Sequence, residues 1–192
     1  KLKIGISSVD EQGAKQNLES EIPHWNINTV RANTVKDWNK ELNKIKIEST
    51  NKEQLTIFYT ALYHSFLAPN IFSDVDYRYR GRDNKIHVLE NKNDKNYTVF
   101  SLWDTYRATH PLFTLVQQEK TNEFIKTFLR QYEQGGDLPV WELAGNETEC
   151  MIGYHSVSVI ADAYTKGIRD YDAIDLLNAM IVTSKFDEYG KK

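Results

Sequence analysis

The chain has 192 residues, 40% hydrophobic and 27% charged, with a net charge of −3 and a pI near 6.0. That length suits one domain or part of a larger one, and with no basic stripe along the sequence a nucleic-acid partner is a poor fit. No apolar run reaches membrane-spanning length and the N-terminal KLKIGISS lacks the apolar segment of a signal peptide, so the chain is either cytosolic or has lost a targeting segment; one cysteine cannot close an internal disulfide and leaves the redox compartment undecided.

In chain order, Leu2, Ile4 and Ile6 alternate with polar or glycine positions, the period of a short strand over 1–6. Ser8 and Glu11 form a capping box that opens a helix with Ala14, Leu18 and Ile22 on one face, stopped by Pro23. Val35, Trp38, Leu42 and Ile45 define a second helix. A third opens at a Thr50–Glu53 capping box and carries a broad apolar stripe from Leu55 to Leu67, ending before Pro69. Helical period then breaks: Tyr77–Arg80, a turn at Gly81 and Asp83–Asn84, and Ile86 with Val88 read as a β-hairpin, with a further short strand at 97–100. Helices resume at 103–116, 119–134, 156–166 (Gly167 at C′) and 172–184. The total is six or seven amphipathic helices without a repeat period.

Residues 134–156, QGGDLPVWELAGNETECMIGYHS, have no helical or strand period, yet crowd Trp141, three glutamates, the only cysteine and His155 among glycines. Scaffolds place binding and catalytic groups on such loops. Trp103-Asp104-Thr105-Tyr106-Arg107 begins a helix. Asp104 there is open to two readings: a dipole-complementing acid that pairs with Arg107, or a carboxylate beside an indole, which is equipment for a sugar ring. Glu142, Glu147 and Glu149 offer the carboxylates that glycoside hydrolysis requires, although a loop glutamate is more often solvated or capping. Asp74-x-Asp76 and the glutamate cluster supply hard oxygens suited to calcium, neither with EF-hand spacing. His64, His110 and His155 lack HExxH spacing and read as helix-packing residues. Cys150, with no histidine at a nucleophile motif, reads as a buried, inert thiol.

Three ordered blocks, FYTALYHSFLAPNIFSDVDYRYRG (58–81), YTVFSLWDTYRATHPLFTL (97–115) and GGDLPVWELAGNETECMIGYHSVSVIADAYTKGI (135–168), resemble the calcium-dependent α-mannosidases of glycoside hydrolase family 92. The resemblance spans nearly the whole chain, and LWDTYR with LPVWELAGNET is a specific pair. It implies an N-terminal β-sandwich followed by an (α/α)6 barrel, an inverting mechanism with a glutamic acid and an aspartate base, and calcium on the mannose 2- and 3-hydroxyls. Carried over, Asp104 and Trp141 match positions lining the terminal-mannose pocket, and Trp103, Arg107, Glu142, Asn146, Glu147 and His155 belong to the same motifs.

GNEPSH-like, VEGN-like and GGNDD-like stretches, which carry calcium, acid and base in the family, are not found here. The resemblance therefore implies no catalytic and no metal-ligand residue in this chain, and calcium bound by the full-length enzymes but not by this piece. The expected fold is mainly α, a partial (α/α)6 toroid of about half a barrel with a small β-hairpin insertion: residues 1–8 as a residual strand or linker from the β-sandwich and 9–192 as the first part of the barrel. Two functions compete: a truncated α-mannosidase acting on α-1,2-type mannosides of N-glycans, inactive alone, and a non-catalytic helical carbohydrate-binding or interaction module. The expected partners are mannoside glycans, with self-association through an exposed half-barrel face, and the expected location is periplasm or cell surface.

Overall fold

The computed structural model describes residues 2–187, and about half of the chain is helical. Eight helices lie among the described residues, more than the periodicity indicates, because the segment expected as one helix at 103–116 is two: α4 (Leu102–Thr105) and α5 (Thr109–Val116). The others are α1 (Glu11–Glu21), α2 (Ile27–Leu42), α3 (Lys52–Ser65), α6 (Gln118–Gly135), α7 (His155–Thr165) and α8 (Ala173–Thr183). None is long and apolar enough to cross a membrane.

Local chemistry sets the boundaries. The N-caps of α1 and α3 lie at Asp10 and Asn51, not at the expected Ser8 and Thr50. Asp10 accepts the Gly13 N–H at 2.7 Å, and Asn51 accepts from Glu53 and Gln54 at 3.0 and 3.2 Å. A carboxylate or amide oxygen reaches the orphan amides of the first turn as a hydroxyl does, so the residue with the extended backbone takes the role. Asp172 caps α8 as its position implies, and Gly167 follows α7 at φ 85°.

The strand expected at 1–6 does not form, and Lys1 lies outside the described residues. Leu2, Ile4 and Ile6 are 81%, 71% and 81% exposed. The alternation is real but inverted, with the polar and glycine positions facing α1. Lys3 Nζ donates to the Ile22 carbonyl at 2.7 Å, and a Cβ on Gly5 would stand 2.2 Å from the Ala14 carbonyl oxygen.

Among the described residues the β elements form three small antiparallel sheets. β1 (Asn70–Ile71) pairs with β4 (Tyr97–Thr98). The expected hairpin is present as β2 (Arg78–Arg80) and β3 (Ile86–Val88), with Tyr79 opposite His87. It is fastened to the end of α6 by Arg82, whose guanidinium donates to the Asp137 carboxylate at 2.8 Å and carbonyl at 2.6 Å. The third sheet joins β5 (Phe100–Ser101), β6 (Trp141–Leu143) and β7 (Asn146–Glu147).

Burial is uneven. The core is a cluster of Tyr97, Phe100, Leu102, Phe113, Phe124, Phe128 and Leu138 with residues of α7 and α8. Phe128 meets Phe100 edge-on at 4.8 Å. His110 sits inside this cluster, 2% exposed, and burial lowers its pKa to about 4. α2 has no buried residue and α3 has one, Leu62, so the broad stripe expected on α3 is only partly covered and His64 is exposed rather than packed. What holds α1 is Asp74, 6% exposed, which accepts from Ser7 Oγ at 2.6 Å and Asn17 Nδ2 at 2.8 Å. A Cβ on Gly13 would lie 2.2 Å from Asp74 Oδ2. Alanine is the better helix former, yet Gly13→Ala is expected to lower stability by about 1–3 kcal/mol through overpacking. A thermal melt showing no loss would mean that the Asp74 contact is slack.

Candidate functional site

The 134–156 segment contains a hairpin where no regular structure was expected. β6 turns into β7 through Ala144 and Gly145, both at positive φ (51° and 81°), the arrangement of a type I′ turn, which matches strand twist. No Asn-Gly marks it, and the strands are too short to show a period. β6 also pairs with β5, placing Ser101 opposite Trp141 and Phe100 opposite Glu142, and the Leu102 amide donates to the Val140 carbonyl at 3.0 Å. Since β5 runs straight into α4, the first turn of that helix is set beside β6.

Two expected residues are thereby brought together across 37 positions: Trp141 Nε1 donates to Asp104 Oδ2 at 3.2 Å. Asp104 is exposed and Trp141 half-buried. One indole N–H uses one of about four acceptor positions on the carboxylate, so Asp104 keeps capacity for hydroxyl donors. Trp103, 44% exposed, stands next to it in α4, and Asn146 lies exposed opposite Leu143 at the hairpin end.

Strand alternation sends the glutamates elsewhere. Glu142 is fully buried, so it is not a pocket-lining residue. Its Oε1 accepts from Thr98 Oγ1 at 2.9 Å and from the Gly145 amide at 2.7 Å, and burial, with Glu147 adding repulsion, raises its pKa to about 7. Glu147 folds back onto the amides of Val140 and Trp141 at 2.7 and 3.0 Å. Both carboxylates hold the hairpin that carries Trp141, and they do not form an open pair flanking a bond.

Arg107 does not pair with Asp104 as the spacing allows. It donates to Tyr106 Oη at 2.7 Å, and the Tyr106 ring stacks on His155 at 4.5 Å. Burial lowers the His155 pKa. Tyr106 and Thr98 are the contributors that sequence does not mark: one lies inside a motif noted for its neighbours, the other is a hydroxyl on a two-residue strand. Cys150 is exposed, not buried, with Sγ 3.0 Å from Thr148 Oγ1. Asp74 and Asp76 do not fit a calcium site, because Asp74 is occupied by Ser7 and Asn17 and Asp76 by Arg78 at 2.7 Å. No cluster of three or more metal-ligating side chains occurs among the described residues.

Residues 13–192 match the model of the glycosyl hydrolase family 92 catalytic domain. The chain belongs to glycosyl hydrolase family 92. It is similar to a family 92 α-mannosidase from Bacteroides thetaiotaomicron, with 43% identity and a TM-score of 0.88, the match covering 95% of this chain and 24% of that one. A family 92 inverting mannosidase from Bacteroides thetaiotaomicron VPI-5482 is 32% identical with a TM-score of 0.83, covering 91% of this chain and 24% of that one. An uncharacterized secreted glycosidase of Arthroderma benhamiae is 24% identical over 94% of this chain and 19% of its own length. This family 92 chain thus spans about a quarter of the solved relatives, and the matched range contains both segments that meet at the Trp141–Asp104 contact.

Proposed function

We propose that this chain supplies a mannose-facing wall, built from Asp104, Trp141 and Trp103 with Asn146 at its edge and the Arg107–Tyr106–His155 stack behind it, to an inverting α-mannosidase of α-1,2-type mannosides on N-glycans. The observation that carries the reading is the 3.2 Å contact between an exposed carboxylate and an indole N–H. An acid that takes hydroxyl hydrogens beside a flat C–H-compatible face is complementary to a pyranose. The neighbours' names, α-mannosidase and inverting mannosidase, agree in substrate class.

The acid, the base and the calcium site are proposed to come from residues other than 2–187, so that these residues orient the sugar without turning it over. The same reading makes 9–192 the first part of an (α/α)6 toroid and 1–8 a connection to a β-sandwich. Apolar faces such as Ile27 and Val35 on α2 and Ile174 and Leu177 on α8, each more than half exposed, are the surfaces on which further helices or a second copy would pack. A periplasmic or cell-surface location is proposed, in keeping with the secreted glycosidase of Arthroderma benhamiae.

The test is calorimetric titration of the chain with α-1,2-mannobiose, in calcium and in chelator. Binding is expected to weaken about tenfold or more in Trp141→Ala and in Asp104→Asn, a loss of at least about 1.4 kcal/mol. Equal affinity in both variants would overturn the assignment, and mannose release by the chain alone would overturn the non-catalytic part of it.

A further inference from the structure

The best-buried titratable group of the candidate site lies behind the wall. Glu142 is fully buried beneath the β6–β7 hairpin, and its Oε1 ties two elements to the turn. It accepts the Gly145 amide at 2.7 Å and the Thr98 hydroxyl at 2.9 Å, and that hydroxyl in turn accepts the Ala144 amide at 2.7 Å. Both turn residues therefore hang on one carboxylate oxygen. The other oxygen, Oε2, has no partner at hydrogen-bonding geometry among the described residues, and neither does the buried Oε1 of Gln131, whose amide stands against the same carboxyl from α6. Val99, beside Thr98, holds φ 67°, a costly conformation for a β-branched residue that persists only where its surroundings enforce it.

We propose that Glu142 is a positioning residue for the Trp141–Asp104 wall, a buried proton switch that couples the hairpin turn to the orientation of the Trp141 indole; this rests on the reading of that wall as a mannoside surface. With a proton, the carboxyl is a neutral group and its Oε1 holds the Thr98 hydroxyl and the Gly145 amide less tightly. Without it, Oε1 carries charge and grips the Thr98 hydroxyl and the Gly145 amide more strongly, since charge-assisted hydrogen bonds are the stronger class. The change passes to Trp141 through the adjoining peptide of β6, and the indole contact of 3.2 Å is at the long end of hydrogen-bond geometry, where small shifts decide it. Glu147, directly across in β7, is the charged group facing Glu142, while Thr98 and Gln131 face it as neutral groups. Burial raises the Glu142 pKa to about 7, which sets the switch near neutrality.

The experiment is a pH titration of the ¹⁵N-labelled full chain, following the Trp141 indole N–H resonance identified by its loss in Trp141→Phe. Wild type is expected to show one step near neutrality, and Glu142→Gln none, with mannobiose affinity rising several-fold through the step in wild type and flat in the variant. Thr98→Val, which removes a hydrogen bond to the ionised form, is expected to move the midpoint upward. An indole step that survives in Glu142→Gln, a midpoint unmoved in Thr98→Val, or a wild-type resonance that does not titrate would each overturn the proposal. A step that vanishes in Glu142→Gln while no mannobiose binds at any pH would uphold the switch and overturn the sugar reading.

Discussion

Phe128→Ala is expected to destabilise the chain by about 3–5 kcal/mol, the range for removing a fully buried aromatic ring from a packed core. Phe128 is 0% exposed, meets Phe100 at 4.8 Å and lies in the cluster that encloses His110, so little of the cavity can be filled from solvent. For a chain of this size that loss lowers the melting temperature by about 10 °C. Val35→Ala, on a helix with no buried residue, is expected to change stability by less than about 0.5 kcal/mol. Differential scanning fluorimetry on the two variants is sufficient. Comparable losses would mean that the α2 face is buried in solution, by self-association or otherwise, and sedimentation would then reveal the larger species.

Glu142→Gln is expected to do the opposite: to stabilise, and only at neutral to alkaline pH. The folded-state pKa of Glu142 is raised from 4.5 to about 7, so between these values the folded state holds a proton that the unfolded state has released. Stability from this group is thus fully present below the unfolded pKa and is lost as pH rises through the folded one. The difference reaches about 3 kcal/mol above neutrality. Glutamine carries no charge and can still accept from Thr98 and Gly145 through Oε1. His110 runs against this trend, because its pKa is lowered to about 4 and its stabilising contribution is lost as pH falls below its unfolded value. Comparing wild type with Glu142→Gln at each pH cancels the His110 contribution. The melting-temperature gap is expected to be near zero at about pH 4 and several degrees at about pH 8. A constant gap would show that Glu142 does not titrate in this range. The same ionised form that grips the turn is the one that costs stability, a trade that functional sites commonly make.

Most of the helices were legible because their periodic stripes and stop signals are local. Leu55, Phe58, Leu62 and Phe66 specify a helix whatever surrounds it. Caps were legible only to within a residue or two, since Asp10 and Ser8, or Asn51 and Thr50, offer similar acceptors and backbone geometry chooses between them. The single helix expected at 103–116 fails for a different reason. Ser101 and Leu102 are held by β6, and the chain must bend over 106–108 to bury His110 and Phe113 in the core.

For the candidate site, residue types alone singled out Trp141, Asp104 and the surrounding acids, and the ordered motifs pointed to family 92. Their positions and contacts were decided only in three dimensions. Trp141 meets Asp104 because β5 and β6 pair across about forty residues, a non-local event that no window of sequence contains. The same pairing turns Glu142 inward within one residue of Trp141, since side chains alternate along a strand. Adjacent letters of one motif thus acquire opposite fates, an indole at the surface and a buried carboxyl beneath it, because sheet register and not composition determines which face each side chain takes.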